Sequence, residues 1–333
     1  YFSLGKMKAP QEIPARVVEF QKGIKNAGKT VSEPKDFGFD PITRIHGFAY
    51  VDFLKTAYKE WHETSSDWGE EVMPNIFVKE NNALKGILAK AAYYIADGSA
   101  PIGEHSWTSI YWSAQSAINA AQDIVDGKQL SMSISRPSGH HARKESAGGF
   151  CFLNNAAIAA QHILDQNAAK KVLILDTDVH HGQGIQEIFY DRCDVMYISL
   201  HGDPTNFYPV VAGYEDERGT GEGLGFNINY PFEHGASEET FFKYLEKALE
   251  DIKIFNPDVI IHNMGFDVYK EDPQTQTQVE TPSMAIIGEK VASLGKPTLA
   301  LIEGGYHIET LAVNLESYMK GLESANKEAY HAD

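Results

Sequence analysis

Cysteine is scarce in this sequence, which contains Cys151 and Cys193 and no other cysteine among its 333 residues. Two cysteines provide no disulfide framework, and they are too few for a zinc site built from thiolates. So few thiols fit a protein that works in a reducing compartment. We therefore expect a cytoplasmic location.

Long apolar runs are also lacking. No run reaches the roughly 18 to 20 residues that a membrane-spanning helix needs, so we expect no membrane partner. The first residues, YFSLGKMKAPQ, contain no hydrophobic region of the kind that precedes a signal-peptide cleavage site. The sequence begins without Met, and we expect a truncated N-terminus from which a targeting segment could be missing.

Positive charge is in deficit, with 29 Lys and Arg against 46 Asp and Glu and a formal net charge of −17. Such a balance disfavours nucleic acid as a partner. It would attract a cationic substrate over a distance that salt limits. A net charge of this kind is also explained by solubility alone, without a charged partner, and both interpretations stay open.

Short runs rich in β-branched residues alternate with amphipathic helical segments. Several of these runs are apolar without alternation, as in parallel strands that are covered on both faces. The predicted strands are SMSIS (131–135), KVLILDT (171–177), DVMYISL (194–200), FNINY (226–230), DVIIHNMG (258–265) and PTLALIEGG (297–305). Helices are predicted in SEETFFKYLEKALEDIKIF, with Ser237 as the N-cap, and in PSMAIIGEKVASLG, with Gly295 at its end.

Strands that alternate with helices predict an α/β protein with a parallel sheet and helices on both faces. The sequence contains no repeat, low-complexity tract or Gly/Ser-rich linker, so we expect a single domain over residues 1–333. Ligands of such sheets bind beyond the carboxyl ends of the strands. The unusual residues of this sequence follow the predicted strands.

The stretch ILDTDVHHGQG (174–184) places ionisable groups at the end of one strand. Side chains two apart share a side of an extended backbone, so Asp176, Asp178 and His180 could project together. A catalytic zinc uses three protein ligands, commonly Asp and neutral His, and Asp267 follows another strand at the same end of the sheet. Taken singly, Asp178 would be a turn residue and His180 a hydrogen-bonded loop histidine, but the combination favours a zinc site.

Two adjacent histidines follow the first predicted strand in RPSGHHARKESAGGFCFLNN (136–155). Since the zinc ligands are already supplied elsewhere, we interpret His140 and His141 as acid/base groups near a metal-bound water. Each needs a partner on its other ring nitrogen, and Asp176 and Gln183 are the spare polar groups. In EGGYH, Tyr306 would donate a hydrogen bond to a developing oxyanion, or simply be a packed aromatic after a Gly-Gly turn.

At these residues the sequence resembles the zinc-dependent histone deacetylase and acetylpolyamine amidohydrolase family. The matching pieces stand in family order over roughly residues 130–310: RPSGHHA, GGFCFLNNAAIAAQ, DTDVHHGQG, SLHGDP, MGFD followed by DP, and EGGY. YYIADGSAPIGEHSW and the long loop after HGDP are more similar to the bacterial, polyamine-hydrolysing members. The resemblance implies a three-layer αβα fold of the arginase/deacetylase type, with the active site at the carboxyl ends of a mainly parallel sheet.

The resemblance also implies residue roles. The zinc ligands would be Asp178, His180 and Asp267. The acid/base pair would be His140 and His141, with Asp176 hydrogen-bonded to His140 from behind. Tyr306 would be the donor to the oxyanion. Substrate would meet Gly149 at the tunnel floor, the walls Phe150 and Tyr208, and the rim residues Asp97 and Glu104. A structural monovalent cation, K⁺, would lie at Asp176, Ser199 and Leu200. Polyamine-hydrolysing relatives use dimerisation to narrow the site, which implies a homodimer.

Two positions depart from the family pattern. Gln183 stands where relatives carry Asp or Asn, so the partner of His141 is neutral, and His141 should be held less strongly as a cation. Tyr208 stands where Phe is common, and its hydroxyl would bond to substrate or face solvent. Asp97 is equally well explained as a turn aspartate, and Glu104 as an acidic residue at a helix N-terminus.

The expected reaction is hydrolysis of an acetyl group from a small cationic amine, most simply an acetylpolyamine. Acetyl-lysine in a protein is the alternative substrate, since the catalytic residues would be the same. A binuclear manganese hydrolase is disfavoured because Gly182 and Tyr269 stand where a second metal needs carboxylates. A thiol hydrolase built on Cys151 is disfavoured because that cysteine lies in an apolar segment. An acyl-binding module without catalysis would be expected to lack Tyr306 or one of the paired histidines.

Overall fold

The computed structural model of the protein describes residues 1–78, 80 and 83–329, the last five of these by their backbone alone. The strands are β1 (Phe2–Ser3), β2 (Lys6–Met7), β3 (Leu130–Ser133), β4 (Val172–Asp176), β5 (Val195–Gly202), β6 (Asn227–Phe232), β7 (Val259–Met264) and β8 (Thr298–Ile302). The helices are α1 (Ala15–Asn26), α2 (Asp40–Thr43), α3 (Phe48–Thr64), α4 (Ile87–Tyr94), α5 (Ser106–Val125), α6 (Asn155–Asp165), α7 (Gln183–Phe189), α8 (Glu238–Phe255), α9 (Thr281–Ala292) and α10 (Ile308–Ala329). Short 3-10 turns cover Gly221–Gly223 and Phe266–Val268.

Six strands form one sheet in the order β3-β8-β7-β4-β5-β6, and every pairing in it is parallel. These are the six strands predicted from the sequence, with ends shifted by a few residues. β1 and β2 form a separate antiparallel hairpin that was not predicted. The α/β class with a parallel sheet is confirmed.

The sheet lies between two layers of helices. Alternate residues of β4 face opposite sides, so Leu173 and Leu175 pack in one core with α8, α9 and α10, while Val172 and Ile174 pack in another with α5, α6 and α7. Because both faces are covered, β4 and β7 are buried along their whole length, and β4 is apolar from Val172 to Leu175 instead of alternating. This arrangement is the predicted three-layer αβα architecture.

Helix α8 illustrates how local sequence sets an element. The hydroxyl of Ser237 accepts a hydrogen bond from the backbone N–H of Thr240 at 3.2 Å, as the N-cap prediction requires. Glu238 and Glu239 occupy the first turn, where their negative charges interact favourably with the helix dipole. The predicted apolar stripe is buried against the sheet: Phe241, Leu245, Ala248, Leu249, Ile252 and Phe255. Gly295 adopts a left-handed φ of +65° three residues beyond α9.

The order of the strands creates a switch point beside β4. The chain proceeds from β4 to β5 and β6 on one side, then returns to place β7 and β8 on the other side. Loops that leave β4 and β7 therefore diverge and open a crevice at their carboxyl ends, where parallel α/β sheets bind ligands. No helix within the described residues is both long and apolar enough to cross a membrane.

Candidate active site

Three side chains of metal-ligand type meet at this switch point. Asp178 and His180 follow β4, and Asp267 lies in the 3-10 turn after β7. His180 Nδ1 lies 3.1 Å from Asp178 Oδ1 and 3.2 Å from Asp267 Oδ2. One ligand atom from each residue falls within 4.8 Å of the other two, and all three residues are buried. The trio predicted from the sequence is therefore brought together by the fold.

Glycines let the backbone approach this trio closely. A Cβ atom on Gly304 would lie 2.2 Å from Asp267 Oδ2 and 2.5 Å from Asp178 Oδ2. A Cβ atom on Gly265 would lie 2.5 Å from the Cα atom of Asp178. Larger residues at these positions would displace the carboxylates, so the two glycines are part of the site's geometry.

The charges of the trio favour a bound cation. Burial, and after it the negative charge of Asp178, raises the pKa of Asp267, as expected for two carboxylates that are buried side by side. The N–H of Val179 donates to Asp267 Oδ1 at 3.1 Å, and the N–H of Gly304 donates to Asp178 Oδ2 at 2.8 Å. These two hydrogen bonds orient both carboxylates. Two carboxylates and one imidazole are a donor set that zinc accepts. The residues present therefore fit a divalent metal such as zinc.

His140 is paired with a buried carboxylate. Its Nδ1 lies 3.0 Å from Asp176 Oδ2, which also accepts a hydrogen bond from the hydroxyl of Tyr197 at 3.1 Å. Burial lowers the pKa of His140, but the charges of Asp178 and Asp176 outweigh it and raise that pKa to about 10. Asp176 thus holds the His140 ring and does not join the metal-ligand trio.

His141 has a neutral partner. Its Nδ1 lies 2.7 Å from Gln183 Oε1, as the sequence predicted. Burial, followed by the charges of His140 and His180, lowers the pKa of His141 well below its usual value. An uncharged imidazole with one nitrogen engaged can accept a proton on the other, as a general base must.

Tyr306 follows β8 and lines the same crevice. Its backbone N–H and that of His307 donate to Asp272 Oδ2 at 2.5 and 2.9 Å. The guanidinium of Arg16 lies 4.9 Å from the centre of the Tyr306 ring, and its Nε donates to the carbonyl of Gly305 at 2.7 Å. Burial raises the pKa of Tyr306 well above its usual value, so the phenol remains a hydrogen-bond donor.

The crevice opens into a cleft of about 1310 Å³. Phe150 and Tyr208 line it. The ring centre of Phe150 lies 6.0 Å from that of Tyr306, and the ring centre of Tyr208 lies 4.7 Å from that of His141. Phe207, which the sequence reasoning missed, stacks on His180 with ring centres 4.7 Å apart. The cleft is therefore walled by aromatic rings, as a site for a linear alkyl chain would be.

Gly149 adjoins two of these residues. Its φ of +56° is left-handed, and a Cβ atom there would lie 2.4 Å from the His141 ring and 2.8 Å from the Tyr208 ring. Only glycine suits both the conformation and the space. The structure thus places Gly149 against the proposed base.

The hydroxyl of Tyr208 has hydrogen-bond partners within the protein, whereas the sequence led us to expect that it bonds to substrate or faces solvent. It donates a hydrogen bond to Asp97 Oδ2 at 2.8 Å, and it accepts one from Gln183 Nε2 at 3.5 Å. It is therefore engaged within the protein instead of free to bond substrate or solvent. The reason is that the loop after β5 brings Tyr208 against the segment before α5, which no local pattern reveals.

The two expected rim acids differ in position. Asp97 lines the cleft, whereas Glu104 lies outside the set of described residues that form its lining. The Glu104 side chain is 69% exposed and faces His105 Nε2 at 3.9 Å. Its role at the rim stays a prediction that the geometry of the single chain does not support.

The residues expected to hold a monovalent cation lie beside the trio. Asp176 at the end of β4 pairs in register with Ser199 of β5, and Leu200 is the next residue. The Ser199 hydroxyl lies 2.8 Å from His201 Nδ1. All three expected residues are buried, and K⁺ at this place stays a prediction.

Sequence reasoning missed three residues that hold the site together: Arg16, Asp272 and Glu303. Asp272 and Glu303 lie inside the DP and EGGY motifs, which mark their positions but do not indicate which groups they bind. Arg16 carried none, because its partner Gly305 is 289 residues away in the chain. Glu303 Oε2 accepts hydrogen bonds from the backbone N–H groups of Gly139 and His140 at 2.9 and 3.2 Å.

Comparison with known proteins agrees with this geometry. Residues 10–322 match the histone deacetylase domain family. An acetylpolyamine amidohydrolase of Burkholderia pseudomallei is 52% identical over 96% of this chain and 94% of its own length. Acetylpolyamine amidohydrolase 1 of Pseudomonas aeruginosa is 40% identical, with 96% and 94% covered.

Solved structures give the same result. A crystal structure of the acetylpolyamine aminohydrolase from Burkholderia pseudomallei superposes with a TM-score of 0.96 at 51% identity, covering 98% of this chain and 94% of that one. The HDA15 HD domain superposes with a TM-score of 0.79 at 26% identity, covering 97% and 85%. The chain belongs to the histone deacetylase family, and it is a deacetylase that hydrolyses amide bonds.

Proposed function

We propose that this protein removes acetyl groups from acetylpolyamines or related small acetylated alkylamines. The observation that carries the proposal is the meeting, in one aromatic cleft, of the Asp178–His180–Asp267 trio with His141 and Tyr306. The substrate class is supported by two relatives named acetylpolyamine amidohydrolase, which match nearly the whole chain. The net charge of −17 favours a cationic substrate.

We propose zinc as the metal, held by Asp178, His180 and Asp267. When bound there, zinc supplies Lewis-acid polarisation of the acyl carbonyl and activation of a water molecule. The backbone N–H groups that donate to Asp178 and Asp267 hold the ligands in place before the metal arrives.

The surrounding side chains move the protons. His141, whose Nδ1 is engaged with Gln183, takes the proton of the attacking water on its Nε2. The imidazolium of His140, held by Asp176, stabilises the negative charge that develops. Tyr306 donates its phenolic hydrogen to the oxyanion of the tetrahedral intermediate, and a histidine then protonates the leaving amine.

The tunnel residues position the substrate. Gly149 lines the floor, and Phe150 and Tyr208 clasp the alkyl chain that carries the acetamide. Aromatic walls exclude water from the polar centre, which strengthens the electrostatic interactions within it. Acetyl-lysine in a protein is the second candidate substrate, favoured by the match of residues 10–322 to the histone deacetylase domain family.

The experiment is steady-state hydrolysis of N-acetylputrescine and N-acetylcadaverine beside an acetyl-lysine peptide, each with and without a chelator. We expect a higher kcat/KM for the small amines, and loss of turnover with the chelator that zinc restores. Preference for the peptide would move the substrate to proteins. Turnover that resists the chelator, or none on any substrate, would contradict the zinc-dependent reaction itself.

We propose four further properties of the protein. Residues 1–333 form one catalytic domain, in line with a family match that spans 10–322. K⁺ binds at Asp176, Ser199 and Leu200, which thermal stability in K⁺ against a tetramethylammonium buffer would test. The protein is cytoplasmic, which fits its two free cysteines. It forms a homodimer, in which Val210 and Val211, 50% and 64% exposed at the cleft of the single chain, are candidates for burial; light scattering would test this.

A further inference from the structure

Asp97 is held in a way that a role in substrate binding does not explain. Its Oδ1 accepts hydrogen bonds from the backbone N–H of Ser99 at 2.8 Å and from the Ser99 hydroxyl. Its Oδ2 accepts from the hydroxyl of Tyr208 at 2.8 Å and from the N–H of Gly149 at 3.2 Å. A carboxylate offers about four acceptor sites, so these donors use its full capacity. Asp97 is therefore engaged within the protein.

The hydrogen of the Tyr208 hydroxyl is committed by this contact. A carboxylate only accepts, so the single phenolic hydrogen must point to Asp97. Burial, and after it the charge of Asp97, raises the pKa of Tyr208 well above its usual value and keeps that hydrogen in place. The Tyr208 oxygen can then only accept from its other neighbour, Gln183 Nε2 at 3.5 Å.

The contact with Tyr208 decides which end of the Gln183 amide faces the base. A carboxamide has a donor end and an acceptor end, which a half-turn exchanges. With Nε2 directed to Tyr208, Oε1 faces His141 Nδ1 at 2.7 Å. That oxygen requires the hydrogen to be on Nδ1, which leaves Nε2 unprotonated and able to take a proton. In the flipped amide the NH₂ group would face Nδ1, and the hydrogen of His141 would move to Nε2.

We propose that Asp97 and Tyr208 are positioning residues: the hydrogen bond from Tyr208 to Asp97 sets the orientation of the Gln183 amide, and thereby the tautomer of His141. The inference rests on the proposed function, in which His141 takes the proton. It explains how the Gln183 side chain, whose two ends differ, presents an oxygen to His141 at a position where the family pattern has Asp or Asn. A carboxylate needs no such device, because both of its oxygens accept.

The test is a double-mutant cycle of Tyr208→Phe and Gln183→Glu on the zinc-loaded enzyme with N-acetylputrescine. Phenylalanine keeps the ring that packs edge-on to His141 and removes only the hydroxyl. In the native background we expect Tyr208→Phe to lower kcat about three- to tenfold with KM unchanged within about twofold, the effect of one lost hydrogen bond. In the Gln183→Glu background the same change should cost less than about twofold.

The matched control is Tyr214→Phe, which removes a hydroxyl from the same loop and should leave kcat and KM unchanged. Asp97→Asn is a second route to the same loss, and its effect should likewise shrink in the Gln183→Glu background. An equal loss from Tyr208→Phe in both backgrounds would overturn the proposal, because the hydroxyl would then act without Gln183. A rise in KM alone would overturn it too, since it would indicate substrate contact.

A spectroscopic readout separates this inference from the proposed function. In protein labelled with ¹⁵N-histidine, proton-nitrogen correlation spectra should show His141 with its hydrogen on Nδ1, and Tyr208→Phe should shift population to Nε2–H. A native His141 protonated on Nε2 would overturn the positioning role, whatever the substrate. A native enzyme that hydrolyses none of the acetylated amines, but shows the expected tautomer, would overturn only the function.

Discussion

The carboxylate of Glu303 holds the backbone beside His140, across 163 residues of sequence. Its Oε2 lies 3.2 Å from the His140 N–H and 2.9 Å from the N–H of Gly139. Ser138 donates its hydroxyl to the carbonyl of Glu303 at 3.0 Å. These bonds join the loop after β3 to the loop after β8, so the paired histidines and Tyr306 are held in one frame.

Glu303→Ala should loosen this frame. We expect kcat to fall about tenfold or more, and the unfolding free energy to fall by about 1 to 3 kcal/mol, the cost of leaving a buried N–H group without its acceptor. Glu303→Gln keeps an acceptor oxygen and should lose less of both. Urea unfolding and steady-state kinetics measure the two effects. Glu309→Ala, at a side chain that is 80% exposed, is the control. Equal effects of the Ala and Gln variants would contradict the acceptor role.

Tyr306→Phe should abolish most turnover and leave the metal in place. If the phenol donates to the oxyanion as other oxyanion-hole groups do, kcat should fall on the order of 100-fold or more. Zinc content, measured by atomic emission, should stay at the native level because Tyr306 is not among the three ligand-type residues. Near-native turnover of the variant would remove Tyr306 from the mechanism.

Gly304→Ala should damage metal binding through a steric route. The added Cβ would lie 2.2 Å from Asp267 Oδ2, so the carboxylates must shift away from His180. We expect zinc affinity to fall at least about tenfold, as for changes to the residues around a metal site. Gly69→Ala is the matched control, because a Cβ atom there would have no neighbour within 4 Å among the described residues. Competition with a fluorescent chelator measures both variants, and native affinity in Gly304→Ala would refute the close approach.

His46 should make stability depend on pH. Its Nε2 accepts from the N–H of Asn154 at 2.9 Å and its Nδ1 donates to the carbonyl of Lys144 at 3.0 Å, so it is neutral. Burial lowers the pKa of His46 to about 4. An unfolded histidine titrates near 6.5, so the unfolded state binds the proton first as pH falls. The His46 contribution is complete above about pH 6.5 and is lost between there and about pH 4.

The measurement for His46 is urea unfolding at several pH values, with His46→Gln as the variant. The native protein should lose up to about 3 kcal/mol more than the variant between pH 7.5 and pH 4. His62→Gln, at an exposed histidine of α3, is the matched control. Parallel curves for the native protein and His46→Gln would show that His46 is protonated in the fold.

The main sheet was predictable from local sequence. Its strands are short apolar runs bounded by polar residues, and the covering helices carry a 3.6-residue stripe, as α8 shows. The meeting of Asp178 with Asp267 was predictable for a topological reason, since carboxyl ends of parallel strands share one edge. The hairpin of β1 and β2 was not predicted, because two-residue strands have no periodicity to detect.

Contacts between loops were beyond local reasoning. The sequence suggested Asp97 and Glu104 together as rim acids, and the structure places Asp97 in the cleft and Glu104 outside it. From the sequence, the Tyr208 hydroxyl was expected to bond to substrate or to face solvent. In the structure it donates a hydrogen bond to Asp97, which is 111 residues away. No local pattern carries such a pairing, because loop conformation depends on what the loop packs against.

By itself the sequence determined the class of the fold, the parallel sheet and the residue types of the site, since these depend on periodicity and on short motifs at strand ends. Tertiary structure alone decided the hydrogen-bond partners: Glu303 for the His140 loop, Arg16 for Gly305, and Asp97 for Tyr208. The physical reason is the directionality of hydrogen bonds, which requires donor and acceptor within about 3 Å in a defined orientation. Only the packed chain fixes distances on that scale.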